Sequence, residues 1–460
     1  MTDTAADLVI LGGGSAGYAC AIRAAELGSS VVLIERDKLG GTCLHRGCIP
    51  TKTLLHAAEV ADEIKEASAV GLKASFEGVD VEALHSYKNA IVSKHFKGLT
   101  GLVRSRGVQI VSGDGVFVGP RSVRVGSGDD AVTYTGTNVV LATGSYSRSL
   151  PGLDITGRVI TSEQALELQW VPQQALVLGG GVIGVEFASV WASLGADVTI
   201  IEALPSLVPA EDPWVGKQLE RAFRKRKIGF KTGVRFSGVT QDDNGVTVTL
   251  ESGESLSGDL LLVAVGRGAA TDGCGFAEAG ITMDRGFVIT NERLATNLPN
   301  VYAIGDIVPG LQLAHRGFQQ GIFVAEEIAG RNPIVVPDVK VPRVTYCDPQ
   351  IASVGLTEQQ ATEQYGDVET LVYNSAGNPK TDILRTAGGI KVVRAKDGPV
   401  VGFHMVGGRI GELIGEAQMI VDWEAFPEDV APYVHAHPTQ YEQIGETMLA
   451  LAGKPLHVHN

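Results

Sequence analysis

One phrase of sequence occurs twice, and it limits the architecture more than any other feature of the chain. Residues 7–11 (Asp-Leu-Val-Ile-Leu) read as a buried strand. The turn Gly12-Gly13-Gly14-Ser15-Ala16-Gly17 follows, an apolar helix runs to about Leu27, and a second strand, 31–34, ends at Glu35. The phrase returns as a strand over 175–178, the turn Gly179-Gly180-Gly181-Val182-Ile183-Gly184, a helix over 185–194, and a strand over 198–201 ending at Glu202. Glu35 lies 23 residues after Gly12, and Glu202 lies 23 after Gly179. The spacing has a chemical reason. The first glycine (Gly12, Gly179) permits a tight turn, the second (Gly14, Gly181) lets backbone approach a pyrophosphate, and the third (Gly17, Gly184) lets the helix pack on the strand. The helix N-terminus offers unpaired N–H groups and the positive end of its dipole to phosphate. The acid accepts hydrogen bonds from a ribose diol. A single GxGxxG is weak evidence, but two with matching acids point to two dinucleotide sites.

Each copy continues alike. Residues 108–141 alternate as strands around the turns Gly113-Asp114-Gly115 and Gly126-Ser127-Gly128 and end in Ala142-Thr143-Gly144. Residues 228–265 do the same and end at Gly266-Arg267. The expected fold is α/β: two Rossmann-like dinucleotide-binding domains with inserted β-meanders, plus a C-terminal α+β domain from about Val341, where no glycine fingerprint occurs. That last segment has strand-like runs at 389–393 and 400–403 and an amphipathic helix over 411–423. A length of 460 residues fits about three domains. A net charge of −14 argues against a nucleic-acid binder, and no apolar run reaches the ~18 residues of a membrane span. The acidic start, without a signal-peptide or Arg-rich character, points to the cytoplasm.

The five cysteines are an odd number in a large chain, so a structural disulfide framework is not expected. Two of them lie close together in Gly40-Gly41-Thr42-Cys43-Leu44-His45-Arg46-Gly47-Cys48-Ile49-Pro50-Thr51-Lys52. Five residues apart on a regular helix, their side chains would diverge. Pro50 removes a helical N–H and crowds the carbonyl at 46, and Gly47 loosens the backbone. A distorted first turn then lets the sulfurs bond, and a helix start, helped by Arg46, is expected to lower a thiol pKa. Two buried thiols or half a metal site are the competing readings. No second CxxC or histidine cluster completes such a site, so no metal is expected.

The CxxxxC segment, both glycine fingerprints and Tyr302-Ala303-Ile304-Gly305-Asp306 together resemble the pyridine nucleotide–disulfide oxidoreductases, over about Asp7 to Leu451. The nearest branch of that family is dihydrolipoamide dehydrogenase. The resemblance implies FAD at the first fingerprint and NAD at the second. It implies that Cys43 is the interchange thiol that meets substrate and that Cys48 lies against the flavin as a charge-transfer thiolate. Lys52 would stand near the flavin N5 and pair with Glu186. Asp306, with Leu313, Ala314 and His315 nearby, would hold the ribityl side of FAD. Gly41, Thr42, Gly115, Ala142, Thr143 and Gly144 complete the expected flavin contacts, and Val234 and Gly266 those of the nicotinamide cofactor.

Near the C-terminus stands His435-Ala436-His437-Pro438-Thr439-Gln440-Tyr441-Glu442. The resemblance makes His437 the general base and Glu442 its orienting partner, serving the disulfide of the other subunit of a homodimer, whose interface is the C-terminal domain. The chemistry suits a dithiol substrate, since imidazole titrates in the right range to activate it. His435 is read as structural. Glu202, followed by Ala203 and Leu204 with no arginine, favours NAD over NADP, because a carboxylate repels a 2′-phosphate. The resemblance extends to partners: the lipoyl and subunit-binding domains of a 2-oxoacid dehydrogenase complex, or a glycine cleavage protein. An NADPH-linked reductase of low-molecular-weight disulfides and a non-catalytic flavin-bearing docking or sensor protein are the alternatives. Several positions depart from the family's common pattern: His45-Arg46, Gly268-Ala269-Ala270, Cys347 and Tyr441.

Overall fold

A computed structural model describes residues 3–458; residues 1–2, part of the acidic start, and residues 459–460 lie outside the described residues. The chain divides into two compact units. One gathers Met1–Thr53, Glu82–Arg148 and Gly266–Asp338, and the other Leu54–Val81, Ser149–Val265 and Val339–Asn460.

The first unit is built on a seven-stranded sheet. Strands Gln109–Ser112, Val31–Glu35, Asp3–Leu11 and Val132–Leu141 lie side by side in parallel. Strand Val301–Ala303 pairs in parallel with the end of Val132–Leu141, while Ser122–Val125 and Gly115–Gly119 form the antiparallel meander off its beginning. Both faces of the parallel part are covered, so the strands read as continuous apolar runs. Successive residues serve opposite sides: Leu8 and Ile10 pack with Cys20, Phe323 and Val324, whereas Val9 and Leu11 pack with Phe117, Val123 and Phe276. Helices Ser15–Glu26 and Ala314–Ile328 approach closely on one face. The contact requires Gly321, where a Cβ would lie 2.4 Å from the Ala16 carbonyl oxygen and 2.8 Å from the Cys20 nitrogen.

The second unit repeats the plan. Strands Gly229–Lys231, Asp197–Ile201, Gln174–Leu178, Leu260–Val263 and Val159–Thr161 form a five-stranded parallel sheet, and Phe236–Gln241, Val246–Leu250 and Ser255–Gly258 form its meander. A five-stranded antiparallel sheet follows, ordered Arg343–Thr345, Gln350–Gly355, Val400–Gly407, Gly389–Ala395, Val368–Asn374. Its apolar face packs with residues of helices Ile414–Asp422 and Glu442–Leu451, including Ala417, Ile420, Ile444 and Met448. Arg343 pairs with Glu211 at 3.0 Å, and Lys391 pairs with the fully buried Asp212 at 2.8 Å. Burial pushes the Asp212 carboxyl up, but Lys391 and the N–H groups of Trp214 and Glu358 outweigh it and hold it below its usual range.

The α/β architecture with inserted meanders is the expected one. Several bounds differ from the sequence reading. The first strand starts at Asp3, the second fingerprint helix starts at Val182 inside the glycine turn, and the C-terminal helix opens as a 3₁₀ turn over Ile410–Leu413. Among the described residues no helix is long and apolar enough to cross a membrane.

Candidate active site

The two glycine turns are near copies. Gly12 and Gly179 have φ of 107° and 110°, and a Cβ on either would strike a backbone oxygen, that of Ala142 at 2.2 Å or Ala264 at 2.4 Å. A Cβ on Gly17 or Gly184 would meet the oxygen of Gly12 at 1.8 Å or Gly179 at 1.9 Å. These four glycines are fixed by the protein's own packing. The middle glycines differ. A Cβ on Gly14 would come no nearer than 4.0 Å to any atom, and one on Gly181 would meet nothing within 4 Å. Their surroundings leave open the place where a pyrophosphate would sit. Neither helix, starting at Ser15 or Val182, has a side-chain N-cap, so first-turn N–H groups face that place without one. Glu35 accepts the N–H of Gly13 at 2.6 Å and that of Asp37 at 2.8 Å. Glu202 does the same with Gly180 and Leu204, at 2.6 and 2.7 Å. Each acid thus braces its own loop. Both turns fit a dinucleotide.

Around the first turn, a Cβ on Gly41 would fall 2.8 Å from the Gly14 Cα, which brings Thr42 and the cysteine segment against the loop. Asp306 sits in a 3₁₀ turn, Gly305–Ile307, after the buried strand Val301–Ala303. Its Oδ2 accepts the Ser145 hydroxyl at 2.5 Å, and Arg267 donates to that hydroxyl at 2.8 Å. The Gln320 side-chain oxygen receives the Gly305 N–H at 2.7 Å. Ser145, Arg267 and Gln320 were not singled out from sequence, because nothing in their spacing marks them. Ala142 receives its place from strand pairing with Leu11, and the Thr143 hydroxyl donates to the Ala270 carbonyl at 2.7 Å. Gly144 accepts the N–H of Ala270. Gly115 is explained by packing, since a Cβ there would lie 2.6 Å from Leu11. Leu313 is the N-cap of the helix that Ala314 and His315 begin.

The cysteine segment is two helices, not one distorted turn. Gly41–Arg46 carries Cys43, Gly47 breaks the backbone at φ −148° and ψ −108°, and Cys48 begins the helix to Glu66. Pro50 falls in the first turn of the second helix, where a missing N–H costs no helical bond. The break at Gly47 brings the two cysteine side chains into hydrogen-bonding contact with each other. The expectation of a lowered thiol pKa needs correction for Cys43. The bond to Cys48, burial, and the Cys48 charge push it well up, against smaller downward pulls from Lys52 and Ser15. Arg46 does not supply that pull, because its guanidinium is committed to Asp37 at 2.5 Å. His45 is held by the Leu39 carbonyl at 2.9 Å and stands edge-on to Phe96.

In the second unit Glu186 is 2% exposed, and one of its oxygens receives the Tyr346 N–H at 2.9 Å. Cys347 beside it is buried, which pushes its thiol up. Val234 donates its N–H to the Glu202 carbonyl at 3.1 Å, and Gly266 ends the run with φ 113°. Further along, His437 Nδ1 lies 2.9 Å from Glu442 Oε1. The ring is 66% exposed while its partner is 14% exposed. His435 is packed instead: its side chain is 9% exposed, it meets Glu416 at 2.8 Å, and its ring lies against Tyr441. A carboxylate-oriented, open imidazole can take a proton from an incoming acid. Among the described residues no cluster of His, Cys, Asp or Glu is arranged to hold a metal.

The pyridine nucleotide-disulphide oxidoreductase family matches residues 6–321, and that family's dimerisation domain matches residues 341–448, which supports a homodimer. The chain is 36% identical to a dihydrolipoyl dehydrogenase of Bacillus subtilis, over 98% of this chain and 99% of that protein. It is 38% identical to the mitochondrial dihydrolipoyl dehydrogenase 2 of Arabidopsis thaliana, over 98% of this chain and 91% of that protein. Among solved structures it superposes on LpdA of Mycobacterium tuberculosis with a TM-score of 0.89 at 26% identity, covering 98% and 100% of the two chains. It superposes on the HOCl-induced flavoprotein disulfide reductase RclA of Escherichia coli with a TM-score of 0.87 at 28% identity, covering 97% and 99%. Paired glycine loops, a contacting cysteine pair and matches along nearly the whole chain lead to one conclusion: the chain belongs to the pyridine nucleotide-disulphide oxidoreductases.

Proposed function

We propose that this enzyme oxidises protein-bound dihydrolipoamide to lipoamide with NAD⁺ as final acceptor, as a homodimeric dihydrolipoamide dehydrogenase of the cytoplasm. The observation that carries the reading is the hydrogen-bonded contact of Cys43 and Cys48 beside Lys52, in the unit whose glycine loop is shaped for a dinucleotide. In the oxidised enzyme those sulfurs are joined. His437, oriented by Glu442, takes the proton from one substrate thiol. The thiolate attacks Cys43 Sγ, the Cys43–Cys48 bond breaks, and Cys48 leaves as a thiolate. The second substrate thiol then attacks the mixed disulfide, its proton passing to the departing Cys43 sulfur, which closes lipoamide and releases Cys43 as a thiol. FAD would be held by the Gly12–Gly17 loop, Glu35 and Asp306, and would supply the two-electron acceptor between the cysteine pair and NAD⁺. Lys52 is proposed to pair with Glu186 at that flavin. The domains follow: residues 1–147 and 271–340 for FAD, 148–270 for NAD, and 341–460 for the dimer interface.

The relatives named dihydrolipoyl dehydrogenase support the substrate and a 2-oxoacid dehydrogenase complex as the kind of partner; the proposed contacts are the lipoyl and subunit-binding domains of such a complex, or a glycine cleavage protein. Likeness to RclA supports a second reading, a nicotinamide-linked reductase of other disulfides. Steady-state rates with dihydrolipoamide and NAD⁺, set against glutathione disulfide and small thiol disulfides with NADH and NADPH, separate the two. A clear preference for a small disulfide with NADPH overturns the first.

A further inference from the structure

His437 is 66% exposed, so packing within the protomer does little to fix its ring, and Glu442 does so at 2.9 Å. Glu442 is itself fixed through its other oxygen, which receives the Thr439 N–H at 2.6 Å. The opposite end of the Thr439 residue, its carbonyl, receives Asn378 Nδ2 at 3.0 Å. Asn378 is 1% exposed and lies in a segment that sequence reading assigned no role. Its amide is not free to flip. Oδ1 accepts the Thr381 N–H at 2.9 Å as N-cap of the helix Pro379–Ile383, so Nδ2 is the atom left to face Thr439. The surroundings are buried and polar throughout: Thr381 reaches Gln440 at 3.1 Å, Gln440 takes a hydrogen bond from Gln443, and Ser375 donates to Gln443 at 2.5 Å. A buried network with its members paired holds one geometry.

We propose that Asn378 is a positioning residue for the proton-accepting histidine, fixing the Thr439 backbone so that Glu442 aims His437 at the incoming thiol. The inference rests on the reading of His437 as base. Asn378→Ser keeps a side-chain oxygen for the Thr381 cap and removes the amide donor. Asn378→Asp keeps the shape and replaces the donor by a charge facing a carbonyl.

The test is stopped-flow on the FAD-loaded homodimer, with the two half-reactions followed separately. In both variants reduction by dihydrolipoamide should slow on the order of ten-fold, a fraction of the ~10²–10⁴ that a positioned base supplies, with the substrate concentration for half-maximal rate unchanged. Reoxidation by NAD⁺ should stay within about two-fold of wild type, which a general folding defect would not spare. Wild-type reduction rates in both variants, or equal slowing of both half-reactions, overturn the proposal. His437→Gln runs alongside. If it leaves reduction by dithiol at the wild-type rate, the base assignment fails and the role of Asn378 with it. If it slows reduction and the Asn378 variants do not, the positioning role alone fails.

Discussion

The carboxylate of Glu202 receives the N–H of Gly180 at 2.6 Å, with its second oxygen taken by Leu204. The group is 8% exposed and directly follows the strand Asp197–Ile201, where the ribose of a bound nucleotide is expected. A 2′-phosphate brought there would face a fixed negative charge, and like-charge juxtaposition costs several kcal/mol. The expected result is a preference for NAD⁺ of at least about 100-fold in kcat/KM. Glu202→Gln should cut that preference by at least about ten-fold, mostly through the NAD⁺ side if the ribose bond is lost and through the NADP⁺ side if repulsion dominates. Equal rates with both nucleotides in the wild type would contradict the assignment.

The contact between the Cys43 and Cys48 side chains predicts that both sulfurs are needed. Cys43→Ser and Cys48→Ser should each lower dihydrolipoamide oxidation by at least about 10³-fold, since a serine cannot complete the disulfide that accepts the electrons. Thiol titration with a disulfide reagent under native, reduced conditions should find one reactive group fewer in either variant than in wild type, with Cys274, which is not buried, counted in all three. Cys20 and Cys347 are buried in the protein, out of a reagent's reach, so they should stay silent. Retention of full lipoamide turnover by either serine variant would remove the proposed electron route.

The nucleotide loops were readable because their constraints are local. Gly12, Gly17 and Glu35 lie within one strand–turn–helix–strand unit, and so do Gly179, Gly184 and Glu202. The cysteine pair was readable for the same reason, but its electrostatics were not. Arg46 turns to Asp37, and Lys52, one helical turn after Cys48, provides the positive charge instead. Asp306 was legible through its motif, yet its partners Ser145 and Arg267 lie in strands distant in sequence. Asn378 and Thr439 are 61 residues apart, and only the tertiary fold brings that amide to that carbonyl. The Asn-Pro start of a helix at 378–379 was a local signal that could have been read, though it gives no hint of what the spare amide nitrogen does.

Helix contact in the first unit gives a test of packing that needs no substrate. A Cβ on Gly321 would fall 2.4 Å from a backbone oxygen of the neighbouring helix, so Gly321→Ala must push two helices apart. The expected cost is about 1–3 kcal/mol. Gly98, in the helix Val81–Ser105, has nothing within 4 Å of its added Cβ. Gly98→Ala should therefore stabilise by about 0.5–1 kcal/mol through helix propensity. Urea midpoints on the FAD-loaded protein check both. A stabilising Gly321→Ala would show that the helix contact is looser than described.

His435 makes stability depend on pH in a direction that can be worked out. Its hydrogen bond to Glu416 at 2.8 Å is the largest influence on the ring and, over the opposing effect of burial, raises its pKa above the ordinary 6.5. A raised folded-state value means the folded protein holds the proton more tightly than the unfolded chain. The stabilisation is then complete below about pH 6.5 and is lost as pH rises through the higher folded value. Glu416→Gln should cost about 1–2 kcal/mol at pH 6, the scale of a charged hydrogen bond, and much less at pH 9. His437 and Glu442 are untouched by this change, so dithiol turnover at pH 8 should fall less than two-fold per folded dimer, on the order of normal scatter for a surface substitution. Thermal melts of wild type and variant across pH 5.5–9 give the comparison. A stability gap that is constant with pH, or that widens toward alkaline pH, would mean that His435 is neutral in its bond to Glu416.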